Sequence, residues 1–285
     1  MKTGKIVAAI LVVAAFVGLV WWSISARQAT QPAPIVNKGT SATSPTAVIP
    51  PSPAAPSAPE VTTVVLKNDP KLGSYLADNN GRALYVFAKD ADGQSVCSGA
   101  CLATWPSFYL AKVAIGPGLD MGDFRTITRA DGSIQTTYYN WPLYYYSGDA
   151  AAGDVKGEGI NKLWFVAKPD YTVLFANKGG LNYLIDADTG LTLYQFSKDA
   201  PDVSNCTGSC VKNWPVFSVD KIVAPSFVDA ASFGQIERAD KGRQTTYNRL
   251  PLYHFVQDTA MGDQKGQGFG GFWSTVDPFS APAAK

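Results

Sequence analysis

Leu84-Tyr85-Val86-Phe87-Ala88-Lys89-Asp90, with Trp105 fifteen residues beyond the Asp, is the phrase from which the rest of this chain can be read. It returns as Leu143-Tyr144-Tyr145-Tyr146 with Asp149 and Trp164, and as Leu193-Tyr194-Gln195-Phe196 with Asp199 and Trp214. A fourth copy is Leu252-Tyr253-His254-Phe255 with Asp258 and Trp273. In every copy the Asp stands five residues after the Tyr and the Trp twenty after it. The Tyr-to-Tyr steps are 59, 50 and 59, so units of two kinds alternate and the true period is the pair, 194 − 85 = 109. Large aromatics at fixed spacing mark one structural unit used repeatedly.

Working outward, the two halves align without a gap from Gly81/Gly190 to Trp164/Trp273, and Tyr75 matches Tyr183 after one extra residue near Asp188. Shared positions include Cys97/Cys206, Cys101/Cys210, Pro106/Pro215, Arg129/Arg238 and the run Gln135-Thr136-Thr137-Tyr138, which returns as Gln244-Thr245-Thr246-Tyr247. Short runs of Tyr, Phe, Val and Thr, separated by Asp-Asn-Asn-Gly, Ala-Asp-Gly and Asp-Thr-Gly, predict strands joined by turns. Period-two alternation puts Tyr85 and Phe87 on one strand face, as it does Tyr144/Tyr146, Tyr194/Phe196 and Tyr253/Phe255, and that face is expected to be packed. The other face carries Val86, Tyr145, Gln195 and His254 in turn, a mixture that predicts exposure to solvent. The Asp closing each phrase is expected to cap a turn with its side-chain oxygens. The Trp residues are expected to be core.

The two kinds of unit differ after the strand. The first and third insert Cys-x3-Cys-x3-Trp-Pro; the second and fourth insert Gly-Asp-x-Lys-Gly-x-Gly-x4-Trp. Four cysteines in two equivalent local pairs of an exported chain predict disulfides Cys97–Cys101 and Cys206–Cys210. Residues four apart on one helical turn come within reach of such a bond. The competing reading is thiolate coordination of copper, but the chain has one His, His254, where a duplicated site needs two. The glycine-rich loops lack the Gly-Lys-Ser/Thr ending of a nucleotide-binding loop, and they read as glycine-shaped turns. Asp149, Asp154 and Glu158 are candidate calcium ligands, weakened by Gln267 standing where Glu158 stands in the other half. Neither His-Glu-x-x-His nor Gly-x-Ser-x-Gly occurs, so no hydrolytic motif is present. Spatially paired carboxylates for glycan hydrolysis cannot be read from spacing. No metal ligand, cofactor or catalytic residue is assigned.

At the N-terminus, Lys2 and Lys5 precede an uncharged apolar run from Ile6 to Ile24. As a helix that run is ~30 Å long, the thickness of the bilayer core. Residues 1–27 are therefore expected to be a membrane anchor or signal, with Trp21 and Trp22 at the interface and Lys2 and Lys5 inside. Residues 28–60, rich in Pro, Ala, Ser and Thr, are expected to form a disordered linker. The remainder divides at the repeat into domains over 61–169 and 170–282. A net charge of +1 gives no electrostatic case for nucleic acid as a partner.

Gly81-x-x-Leu84-Tyr85-x-Phe87-x-x-Asp90 with Cys97-x-Gly99-x-Cys101-x3-Trp105-Pro106, together with Pro142-Leu143-Tyr144 and Gly153-Asp154-x-Lys156-Gly157-x-Gly159-x4-Trp164, resembles a bacterial "secreted repeat of unknown function" family. That family is also described as predicted lipoproteins with a Tyr-x-aromatic-x-x-Asp motif. The resemblance covers both halves, about Tyr75 to Trp273, and implies an exported cell-envelope protein; it supplies no activity. The chain departs from the lipoprotein pattern in having no Cys before Cys97, so the apolar run stands where a lipid anchor is expected.

The expected fold is mainly β: a tandem pseudo-repeat of two small β-rich domains with short helical turns at the Cys-x3-Cys segments. Closure of all four units around one axis is the alternative arrangement. The expected function is that of an envelope-tethered, extracytoplasmic binding or structural module without catalysis. Its expected partners are the membrane, through the N-terminal helix, and a cell-envelope polymer or protein. A copper or thiol redox protein and a glycan-active enzyme are the alternatives.

Overall fold

Each half begins with an antiparallel hairpin. In the computed structural model, which describes residues 63–112 and 114–280, Thr63–Asp69 pairs with Gly73–Asp78 and Val173–Lys178 pairs with Leu181–Asp186. The second hairpin closes through Gly179-Gly180, both with positive φ (63° and 82°), the two-residue turn that matches strand twist and needs residues without a Cβ. The expected anchor over 1–27 and linker over 28–60 lie outside the described residues. Among the described residues no helix is long and apolar enough to cross a membrane.

The repeated phrase forms a three-residue strand that pairs with the strand opened by the last Trp of its own half. Tyr85–Phe87 runs antiparallel to Trp164–Val166, and Tyr194–Phe196 to Trp273–Thr275. The phrase strand also bridges its sibling: Tyr85 and Tyr144 exchange backbone hydrogen bonds of 2.8 and 2.9 Å, and Tyr194 and Tyr253 do so at 2.8 and 3.0 Å. One unit of each kind therefore interlocks within each half. A three-stranded sheet completes the half: Phe124–Thr128, Ile134–Tyr138 and Trp141–Pro142 in one, Phe233–Glu237, Arg243–Tyr247 and Leu250–Pro251 in the other.

No strand pairing among the described residues joins the halves. What joins them is mainly apolar, beside an ion pair of Lys178 with Asp92 at 3.2 Å and the Ser226 N–H donating to Glu158 at 3.3 Å. Val64, Leu76, Val86 and Phe165 from one half share a buried cluster with Val173, Phe175, Leu184 and Phe217 from the other, and the Phe165 and Phe227 rings meet edge-on at 5.9 Å. This shared core corrects the expected solvent face of the phrase strand. Val86 is buried, and Tyr145, Gln195 and His254 are half-buried, because that face meets the rest of the molecule. His254, expected at the surface, has a side chain only 15% exposed, with Nε2 3.4 Å from Asp186 Oδ2. The strand is packed on both faces, and the polar residues on the second face are there because each finds a partner.

Both expected disulfides are present, Cys97–Cys101 and Cys206–Cys210, with Cα atoms 5.4 and 5.3 Å apart. Their geometry departs from the expected single helical turn. The helical turns cover Ala100–Thr104 and Cys210–Asn213, so Cys97 and Cys206 precede them. Gly99 and Gly208, at φ 56° and 58°, reverse the chain between the two sulfurs.

Candidate functional site

The residues that define the repeat assemble into one cluster in each half. Tyr85, Tyr144, Tyr194 and Tyr253 are fully buried, as their strand face predicts. Their hydroxyls do not reach the Asp of their own phrase. Tyr85 Oη donates to Asp149 Oδ2 at 2.7 Å and Tyr144 Oη to Asp90 Oδ2 at 2.6 Å. In the second half Tyr194 donates to Asp258 at 2.6 Å and Tyr253 to Asp199 at 2.7 Å. Each Tyr thus bonds the Asp of the sibling unit, and two such bonds cross between the interlocked strands. The second oxygen of each carboxylate accepts a backbone N–H, from Val96, Lys156, Asn205 and Lys265 respectively at Asp90, Asp149, Asp199 and Asp258. The expected turn-capping role is therefore half of what each Asp does.

Between the crossed bonds lies a four-ring stack. Phe87 stacks on Trp164 (4.1 Å between centroids), Trp164 on Trp105 (3.8 Å, planes within 1°), and Trp105 meets Tyr146 at 4.5 Å. The second half repeats it with Phe196, Trp273, Trp214 and Phe255 at 4.4, 3.6 and 4.3 Å. The tyrosines close the sides with edge contacts, Tyr85 on Trp105 at 5.4 Å and Tyr144 on Trp164 at 5.1 Å. Rings from the two units alternate along the stack, which places the Trp pair on a local twofold relation. Each disulfide belongs to the same cluster.

The two crossed bonds differ in their third partner. At Tyr144 the hydroxyl also bonds Ser95 Oγ, which receives Arg129 Nη1; that guanidinium further donates to Gln135 Oε1 and the Cys97 carbonyl. Arg238 repeats this with Ser204 at 2.6 Å, Gln244 at 2.5 Å and the Cys206 carbonyl at 2.8 Å. At Tyr85 and Tyr194 the hydroxyl instead accepts the N–H of Gly157 or Gly266, each at 3.2 Å. A Cβ on Gly157 would lie 2.7 Å from the Tyr85 ring and 2.9 Å from Trp105, which is why the glycine-rich loop needs a glycine there. Asp154 and Asp263 hold the same loop by accepting two backbone N–H groups each and pairing with Lys156 and Lys265 at 2.7 Å. Glu158 accepts the Val166 N–H and Gln267 the equivalent Thr275 N–H, both at 2.7 Å. An acceptor is what that loop bond requires, and Gln267 supplies it as Glu158 does, while the second oxygen of Glu158 also accepts the Ser226 N–H at 3.3 Å.

Burial sets the electrostatics. It pushes the Asp90 carboxyl up to about 7 against the opposing pull of Tyr144, the Val96 N–H and Arg129. Asp149 and Asp258 are raised for the same first reason, opposed by their tyrosines. Burial, then the neighbouring carboxylates, raise the phenols of Tyr85 and Tyr194, so these remain neutral donors. Tyr and Asp consume each other's hydrogen-bonding capacity, and the disulfides leave no thiolate in either cluster. No group of three or more His, Cys, Asp or Glu side chains arranged to hold a metal ion occurs among the described residues. Spacing alone did not show the crossing or the roles of Ser95/Ser204, Arg129/Arg238 and Gln135/Gln244. Their signal was repetition at the 109 offset, which all three pairs obey.

No curated protein and no solved structure matches the chain. A family model described as a secreted repeat of unknown function matches residues 68–108, 125–168, 185–218 and 234–277, together more than half of the chain. Those four segments follow the four units set out by the aromatic spacing, and the chain belongs to this secreted-repeat family.

Proposed function

We propose that the protein is an envelope-tethered, extracytoplasmic binding or structural module that performs no catalysis. The observation that carries this reading is the closure of the motif on itself: each repeated Tyr hydroxyl is spent on a repeated Asp, beneath stacked Trp rings. The motif is then the fastening of the fold, and recognition belongs to residues outside it. The apolar run Ile6–Ile24 and the Pro-rich stretch after it act as anchor and tether, holding 61–169 and 170–282 as two tandem domains beyond the membrane. The partner is a polymer or protein of the envelope.

The test is to incubate the protein with isolated envelope polymer and measure both retention on the insoluble fraction and release of soluble fragments. Retention without release is the expected result. Release of fragments that disappears with Asp90→Asn or Asp149→Asn would replace this reading with a glycan-active enzyme.

A further inference from the structure

Where the two halves dock, their edges leave a groove that neither half contains alone. The first half brings Lys89, Asn161 and Lys162 to it, and the second brings Asn177, Asn182 and Phe279. Its volume is about 320 Å³, at the lower end of the usual range for a small-ligand site, and no carboxylate lines it. The ion pairs among the described residues include neither Lys89 nor Lys162. Lys162 Nζ is held 4.5 Å over the Phe279 ring, which rests edge-on against Phe175 at 5.2 Å. The ring positions that charge without neutralising it. On the second half, Asn177 Nδ2 donates to Asn182 Oδ1 at 2.7 Å across the hairpin. That bond orients both amides and leaves the Asn177 carbonyl oxygen and two Asn182 N–H donors for a ligand.

The corresponding positions of the second half are built differently. Lys198, the counterpart of Lys89, sits 3.8 Å over the Phe272 ring, whereas the first half has Leu163 in the place of that ring. Gly270 and Gly271 stand where Asn161 and Lys162 do. All four take a left-handed backbone, with φ of 59° and 74° at the glycines and 53° and 54° at Asn161 and Lys162. Glycine adopts that conformation freely and Asn tolerates it, but a lysine there runs against its backbone preference. A residue so held persists where its side chain has a use. Neither the ring stack nor the shared core involves the Lys162 ammonium.

We propose that this groove binds the oxyanion-bearing unit of an anionic, polyhydroxylated envelope polymer. A phosphodiester or carboxylate meets Lys89 and Lys162, and neighbouring hydroxyls meet the asparagines. The reading rests on the binding-module function above and names its ligand class. The lysine ammonium is a compact point charge that suits either oxyanion. A cationic ligand would be repelled by two lysines that no lining carboxylate offsets, and a neutral one would use the amides alone. Lys89, Asn161 and Lys162 are exposed, so a chain can lie across the groove without threading into it.

Titration calorimetry of the full chain in neutral detergent, with soluble oligomers of glycerol phosphate, of galacturonate and of glucose, tests this. Saturable binding of at least one charged oligomer and not of the glucose oligomer is expected, and which of the two binds separates phosphodiester from carboxylate. Lys89→Gln and Lys162→Gly should each weaken it about tenfold, the effect of one lost charge-assisted contact. Lys162→Gly should do so without lowering the melting temperature, because glycine relieves the left-handed lysine. Lys198→Gln removes the same charge from the second half and should leave the affinity within about twofold of wild type, since distant exposed charges are screened. Equal loss in Lys198→Gln would assign the attraction to the surface at large and overturn the proposal. Binding of neither charged oligomer, equal binding of the glucose oligomer, or binding that Lys89→Gln and Lys162→Gly both keep would overturn it too. Envelope polymer that wild type and both variants retain alike would sink the groove and leave the binding module standing. Wild type that envelope polymer fails to retain would sink the module itself.

Discussion

In the first half the hairpin after Tyr138 turns through Tyr139-Asn140 and leads to Trp141; in the second it turns through Asn248-Arg249 and leads to Leu250, on the same backbone. In the two ring stacks, by contrast, the Trp–Trp distances are 3.8 and 3.6 Å and the Tyr–Asp bonds agree within 0.1 Å. The contrast separates two kinds of residue. Those used twice bond one another and make each half possible. Those used once, Val86, Tyr139, Trp141 and His254 among them, face the other half or the solvent, where the two copies need not be alike.

The largest expected effect probes the part that is alike. Trp164→Ala and Trp273→Ala each remove a buried ring stacked on both sides. Each should cost ~3–5 kcal/mol in a urea melt, the usual range for a buried Trp. Because Val86, Phe165 and Phe217 belong to one apolar cluster, either loss should lower a single common transition. Two transitions, one of them unmoved, would show that 61–169 and 170–282 unfold separately despite their contact, and the comparison would become one between independent domains.

Much of this was legible in the sequence, and the boundary of legibility has a physical cause. Identical spacing exposed the units, and strand alternation identified Tyr85, Tyr144, Tyr194 and Tyr253 as buried. Duplicated Cys pairs implied local disulfides. The crossing of Tyr85 to Asp149 was hidden because an Asp five residues after every Tyr suggests a local partner, and the twofold relation between units supplies an equivalent Asp from elsewhere. Exposure of the His254 face was misread because alternation reports one packed face and says nothing of what covers the other. There Tyr145 Oη donates to Asp78 at 3.0 Å, so polar character on that face reflected partners rather than water.

A smaller effect is expected at Asp90, whose carboxyl burial raises to about 7 from an ordinary 3.8. Between those two values the folded chain holds a proton that the unfolded chain has released, so stability falls as pH rises through that window and is flat above it. The loss is on the order of 2 kcal/mol after allowance for the group's residual hydration. Asp90→Asn keeps an acceptor for the Val96 N–H and removes the titration. Its urea midpoint should therefore decline less between pH 4 and 7 than that of wild type, the remainder coming from the raised carboxyls of Asp149 and Asp258. An unchanged decline would mean that another group carries it.

The smallest effect belongs to His254, the residue at which the two halves differ within an otherwise common arrangement. In the first half Tyr145 meets Phe108 edge-on at 5.5 Å and donates to Asp78; in the second His254 meets Phe217 edge-on at 5.7 Å and reaches Asp186 at 3.4 Å. The imidazole leaves Nδ1 buried with no hydrogen-bond partner. Burial lowers its pKa from 6.5, against the opposing charges of Asp186 and Asp258. A base depressed in the fold takes up its proton more readily when unfolded, so its contribution is present above pH 6.5 and is lost as pH falls through the folded value. That slope is opposite in sign to the one from Asp90, and the two partly cancel in wild type. His254→Tyr installs the ring and hydroxyl that the first half already accommodates and removes the orphaned nitrogen. At neutral pH it should leave stability unchanged or raise it by about 0.5–1 kcal/mol, the net worth of one hydrogen bond. Below pH 6.5 the variant should show the carboxyl slope without the opposing histidine, and Asp90→Asn combined with His254→Tyr should keep only the part that Asp149 and Asp258 contribute. A His254→Tyr protein that is destabilised by more than about 2 kcal/mol would mean that the second half has no room for the first half's ring, and that the likeness of the two faces ends at Phe217.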